Sequence, residues 1–89
     1  MYFVYMIKNA DDTLYVGISV DPEKRLQTHN LKRGARFTKT SCNFKLAFSE
    51  SYPTMAEARR REIKIKKWRR DKKEMLIERY LKELPTKQF

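Results

Sequence analysis

The segment TLYVGISVDPEKRLQTHN, Thr13 to Asn30, holds four residues whose types and spacing could serve phosphate chemistry. Tyr15 and Gly17 close a short apolar run. Arg25 and His29 stand four apart, so on a helix they project from one face. A guanidinium is a planar fork that can hold two phosphate oxygens at once. An imidazole changes charge near neutral pH and can relay a proton or contact phosphate. Each residue also has an ordinary explanation. Tyrosine is common in strands, and a strand glycine often marks a bulge. Arginine and histidine on a helix are commonly solvated surface groups.

A fifth residue is less easily explained. Glu62 falls inside an apolar stripe of Met55, Ala58, Ile65 and Trp68 at helical spacing. A carboxylate there costs free energy unless it is paired, hydrated or bound to a metal. Arg59, Arg61 and Lys66 are close on the helix surface, and Glu62–Lys66 is a favourable i, i+4 pair. Spacing alone favours that salt bridge over a metal.

The charge points to an anionic partner. Twenty-one Lys and Arg against 11 Asp and Glu give +10 over 89 residues. Lys66, Lys67, Arg69, Arg70, Lys72 and Lys73 crowd around Trp68, and Lys32, Arg33, Arg36 and Lys39 form a second cluster. A nucleic acid is the simplest such partner, although a basic amphipathic helix can also lie on an anionic membrane. No apolar run is long enough to span a bilayer, so no membrane anchoring is expected. The N-terminus enters an alternating apolar stretch without the basic region and apolar core of a secretion signal. Cys42 is the single cysteine and cannot form an internal disulfide. A cytoplasmic location is the expectation.

The elements that must position these residues are few. MYFVYMIKN and TLYVGI read as strands joined by the polar turn NADDT, hence an antiparallel hairpin. A turn centred on Ala10 would place Tyr5 opposite Tyr15 on one face, and a one-residue slip would separate them. Asp21, Pro22 and Glu23 form a helix start, with the helix running to about Asn30. LKRGARFTKTSCN follows as a basic loop, and FKLAFSES as a third strand. Thr54 and Glu57 make a capping box that opens a helix to about Trp68. Asp71 repeats the device for a last helix with Met75, Leu76, Ile77, Tyr80, Leu81 and Leu84 as its apolar stripe. The expected fold is α+β, a three-stranded antiparallel sheet flanked by helices in the order β-β-α-β-α-α. Residues 1–84 would form one domain and 85–89 a loose tail.

The ordered residues resemble the GIY-YIG nuclease family. VYM around Tyr5 and YVG from Tyr15 look like its paired tripeptides, with the tyrosines ten apart. GISVDPEKRLQTHN resembles its helix with Arg25 and His29, and AEARRREIKIKKWRRDKKEMLIE the helix carrying its metal-binding glutamate, at Glu62. GARFTK and KLAFSESY are similar to small single-domain members, and the whole looks like the nuclease domain found in excinucleases. The resemblance implies metal-dependent endonuclease hydrolysis of a nucleic-acid phosphodiester, with DNA as the expected substrate and repair or recombination as the setting. It assigns Tyr15 as general base, Tyr5 as its positioning partner and Arg25 as phosphate clamp. Glu62 would bind one Mg²⁺ or Mn²⁺, and Gly17 would allow close approach. Arg36, Lys39, Lys67, Trp68 and Arg70 are candidate phosphate contacts, with Trp68 equally suited to the core. A bare domain of this size would use a partner protein, a homodimer or a structured substrate. A non-catalytic nucleic-acid-binding module on the same scaffold is the alternative.

Overall fold

A computed structural model describes residues 1–36 and 43–89, with the side chains of residues 31–36 excepted. Lys39, Cys42 and the side chains of Lys32, Arg33 and Arg36 therefore lie outside the described residues. The elements are β1 (Tyr2–Lys8), β2 (Leu14–Ser19), α1 (Pro22–Arg36), β3 (Lys45–Tyr52), α2 (Met55–Lys66) and α3 (Arg70–Leu81). They form the expected α+β architecture, an antiparallel sheet in the order β2-β1-β3.

The β1–β2 turn is built from short polar side chains. Asn9 Oδ1 accepts from the Thr13 amide at 2.9 Å, and Asp12 takes the left-handed backbone region at φ 65°. The hairpin pairs Tyr5 with Gly17 and Ile7 with Tyr15. Its centre is therefore Asp11 rather than Ala10, which corrects the expected pairing of Tyr5 with Tyr15. Moving the centre by one residue shifts each partner by two, so parity is kept. Tyr5 and Tyr15 still share a face, as diagonal neighbours.

Central strand β1 separates two cores. Val4, Met6, Val16 and Phe48 pack with Ala58, Ile65, Leu76 and Ile77 of α2 and α3. Tyr5, Ile7 and Phe44 pack with Leu26 of α1 and with Leu46. Apolar residues on both faces make β1 a run of four buried residues, Val4 to Ile7.

Three helix boundaries differ from expectation. Helix α1 continues to Arg36, because Asn30 does not end it. The Asn30 side chain instead donates to the Phe44 carbonyl at 3.1 Å and accepts from its amide at 2.8 Å, fixing the entry to β3. Helix α2 starts at the expected Thr54 cap, whose hydroxyl accepts from the Glu57 amide at 3.3 Å. It stops at Lys66, with Trp68 in the connection. Helix α3 is capped at Arg69, and Asp71 sits in its first turn with its carboxylate on the Lys72 amide at 3.0 Å. Met75, Leu81 and Leu84 are exposed, so the buried stripe of this region narrows to Leu76, Ile77 and the partly buried Tyr80.

Residues 85–89, expected as a loose tail, are held in place. Arg61 Nη2 donates to the Thr86 carbonyl at 2.8 Å, and Arg79 Nε to that of Pro85 at 2.9 Å. Phe89 meets Trp68 edge to face at 5.8 Å. The same Arg61 forks onto buried Glu50, with Nε–Oε1 at 2.9 Å and Nη2–Oε2 at 3.3 Å. The Tyr52 hydroxyl donates to that carboxylate at 2.8 Å. Sequence reading gave no sign of this second buried acid.

Candidate active site

Gly17 shapes the centre of the site. A Cβ at this position would lie 2.7 Å from the Tyr5 hydroxyl oxygen and 2.9 Å from Cζ. Glycine thus leaves the space in which the Tyr5 ring crosses from β1 over β2. No bulge interrupts the β1–β2 register here; the irregularity lies between β1 and β3 at Met6/Ile7.

The Tyr5 hydroxyl is where four elements meet. The side chain is 4% exposed. Burial pushes its pKa up; a hydrogen bond from Arg25 and that residue's charge pull it down, and Tyr15 and Glu62 push it up again. The net shift is above the ordinary 10.0, so Tyr5 is a protonated phenol at neutral pH. Tyr5, Tyr15, Arg25 and Glu62, from β1, β2, α1 and α2, are therefore within electrostatic reach of one oxygen.

Tyr15 is accessible, at 45% exposed, as is Arg25. Its ring lies 5.1 Å from His29, and His29 in turn meets Phe44 edge to face at 4.7 Å. The Asp21 cap holds these helix residues in position, accepting from the Lys24 amide at 3.2 Å. Tyr15 also lines a shallow groove of about 220 Å³ with Leu14, Val16, Lys66 and Lys73. Arg25 lines a second groove with Ser19, Val20, Asp21, Lys24 and Thr28. A larger groove beside the hairpin turn, between Lys8, Asn9, Ala10, Asn30, Asn43, Phe44 and Lys45, includes none of the five candidate catalytic residues.

Glu62 is 6% exposed, as its place in the stripe implies. Lys66 Nζ lies 3.2 Å from its Oε2 and Arg59 Nη1 3.9 Å from its Oε1. Arg61, the third cation considered from the sequence, faces Glu50 instead. Among the described residues no group of three or more His, Cys, Asp and Glu is placed to hold a metal. The donor chemistry available at Glu62 is a hard carboxylate beside two exposed, displaceable cations. That suits a divalent ion of the Mg²⁺ type, which binds through one or two carboxylates and takes its other ligands from water and phosphate.

The outlying candidates stand elsewhere. Arg70 is committed to structure: it donates to Glu74 Oε2 and to the Asp12 carbonyl, both at 2.8 Å, and ties α3 to the hairpin turn. Trp68 packs on the α2–α3 core under Phe89, with Lys72 Nζ over its ring at 4.4 Å. Lys67 is exposed at the end of α2. Lys73 and Lys24 line the two grooves; Lys73 was legible in sequence only as a member of a charge cluster, and Lys24 was not singled out. Among the described residues, no helix is long and apolar enough to cross a membrane.

Comparison with known proteins identifies the family. The GIY-YIG catalytic domain family matches residues 1–78. A UPF0213 protein of Bacillus pumilus is 39% identical over 77 residues, covering 86% of this chain and 79% of the relative. One from Staphylococcus aureus is 41% identical over 76 residues, covering 85% and 93%. The solution NMR structure of a UPF0213 protein from Bacillus halodurans is 32% identical with a TM-score of 0.56, covering 88% of this chain and 84% of that one.

Proposed function

This chain belongs to the GIY-YIG catalytic-domain family, a nuclease family, and on that footing we propose that it is a metal-dependent endonuclease acting on DNA. The observation that carries the proposal is the convergence at the Tyr5 hydroxyl of Arg25, Tyr15 and Glu62 from three other elements. In this reading the chain works in the cytoplasm, on branched, flapped or nicked DNA in repair or recombination, alone or with a partner protein or second copy.

Each residue then has a task set by its surroundings. Arg25 uses its remaining donors to hold the non-bridging oxygens of the scissile phosphate while one donor stays on Tyr5. Tyr5 keeps its proton and donates it in a hydrogen bond to the attacking water or to Tyr15. Tyr15, exposed on the groove, takes the proton from water as it gives its own hydroxyl proton to His29. His29, packed on the Tyr15 ring, receives the phenol proton, imidazole being the side chain suited to proton exchange near neutral pH. Glu62 would hold a single Mg²⁺ or Mn²⁺, which would supply Lewis-acid stabilisation of the leaving oxygen. Lys24, Lys66, Lys67 and Lys73 add phosphate contacts without base readout, so binding is salt-sensitive and weakly sequence-specific.

The alternative, a non-catalytic nucleic-acid-binding module, draws on one observation. Glu62 is already neutralised by Lys66 and Arg59. Incubating the protein with nicked, branched, single-stranded and duplex DNA and Mg²⁺ or Mn²⁺ separates the two. Cleavage that disappears in Glu62→Ala and Tyr15→Phe supports the nuclease. Binding without metal-dependent cleavage on every substrate supports the module.

A further inference from the structure

Lys66 belongs to two sites at once. Its ammonium is 3.2 Å from the Glu62 carboxylate, and the same side chain walls the groove that Tyr15 and Lys73 share. It is 53% exposed, whereas the Glu62 side chain is 8% exposed. The lysine is therefore free to turn away and the glutamate is not. Lysine suits this position as a compact charge on a flexible stem.

Resting on the nuclease reading, we infer that Lys66 is an exchangeable counter-ion. It neutralises Glu62 when no metal is bound, and it turns into the Tyr15 groove, beside Lys73, to hold a backbone phosphate when metal arrives. Two opposing demands lead to this. A buried carboxylate with no cation is costly, so the metal-free protein needs Lys66 where it stands. A divalent ion at the same oxygens repels the ammonium across a short distance. The groove that Lys66 lines already carries Lys73, whose like charge makes it unfavourable for Lys66 until an anion enters. A nucleic-acid phosphate satisfies both lysines. Metal and nucleic acid thereby bind with positive coupling, each improving the site for the other. A metal-free protein holds its acid closed, and a metal ion without substrate binds weakly.

The test uses binding alone. Mn²⁺ is titrated into wild type, Glu62→Gln, Lys66→Met and Lys66→Arg without nucleic acid, with free Mn²⁺ followed by electron paramagnetic resonance. A short DNA duplex is then titrated by fluorescence anisotropy in Ca²⁺ over a range of salt. In the exchange, Lys66→Met binds Mn²⁺ several-fold more tightly than wild type, and Lys66→Arg stays close to wild type. Lys66→Met also binds DNA more weakly, with the slope of log affinity against log salt reduced by about 0.9, one phosphate contact. Unchanged Mn²⁺ affinity in Lys66→Met, with affinity lost in Glu62→Gln, overturns the exchange and leaves the nuclease reading standing. An unchanged salt slope also overturns it. Equal Mn²⁺ affinity in wild type and Glu62→Gln removes the metal from Glu62 and overturns both.

Discussion

Tyr5 lies across Gly17, close enough that a single methyl group at the glycine would come within 2.7 Å of the Tyr5 hydroxyl. The hairpin register fixes this relationship, since the two residues are cross-strand partners. The Tyr5 ring is buried and cannot swing clear. Gly17→Ala should therefore cost about 1–3 kcal/mol, the usual range for overpacking, and should displace the hydroxyl from Arg25. Thermal unfolding measures the first effect. Spectroscopic titration of the tyrosines measures the second, as a further rise in the Tyr5 pKa once burial acts without the opposing Arg25 contact. A Gly17→Ala protein with wild-type stability would contradict the overpacking.

Arg61 and Glu50 should dominate stability on the sheet face away from Tyr5. Both are buried, and the guanidinium also holds Thr86. Removing one partner of such a pair leaves an uncompensated buried charge, typically about 3–5 kcal/mol. Arg61→Met should show a loss of this order in urea unfolding and should release residues 85–89 to proteolysis. A loss below about 1 kcal/mol, the range of surface pairs, would contradict it.

Glu74 ties α3 to the hairpin through Lys8 at 3.0 Å and is braced by Arg70 of its own helix at 2.8 Å. Burial pushes its carboxyl up, but the hydrogen bonds from Arg70 and Lys8 outweigh this and hold the pKa below the ordinary 4.5. A folded-state pKa below the unfolded one gives stability that is full above the unfolded value and is lost as pH falls through the folded one. Stability should therefore decline below about pH 4.5, and Glu74→Gln should flatten that part of the curve. A Glu74→Gln protein with the wild-type acid limb would show that other carboxylates cause the decline.

His29 offers a test of the proton route. His29→Phe keeps an aromatic ring between Tyr15 and Phe44 but cannot accept a proton. Cleavage should fall about 10²–10⁴-fold at neutral pH, the usual worth of general-base assistance. Replacement by another aromatic ring keeps this packing, so the comparison with His29→Ala separates loss of the proton acceptor from loss of packing. A wild-type cleavage rate in His29→Phe would remove His29 from the chemistry and leave it as packing.

The sequence carried most of the local signals and few of the long-range ones. The Thr54 cap and the Asp21–Pro22 start are short-range chemistry, and both appear as read; the strand alternation does not, since β1 is buried on both faces and Phe48 lies in a different core from Phe44 and Leu46. Asn30 and Asp71 misled, because the same side chains that end or cap helices can serve elsewhere. Asn30 reaches β3, and Asp71 acts one residue inside α3. Glu62 was visible because it breaks a helical apolar stripe. Glu50 was not, because it sits among polar neighbours in SES and its partners, Arg61 and Tyr52, are recognisable only once β3 and α2 are packed. The shared face of Tyr5 and Tyr15 was legible from parity, whereas their diagonal offset depended on one residue of turn.

In the nuclease reading Tyr5, Tyr15, Arg25 and Glu62 form one catalytic unit. Residues that act as a unit give losses that do not multiply. The decisive quantity is the single-turnover rate of Mg²⁺-dependent cleavage of a branched DNA by wild type, Glu62→Gln, Tyr15→Phe and the double variant. The expected outcome is metal-dependent cleavage by wild type, a loss of about 10²-fold or more in each single variant, and no further loss in the double. Cleavage at the wild-type rate in either single variant would break up the unit.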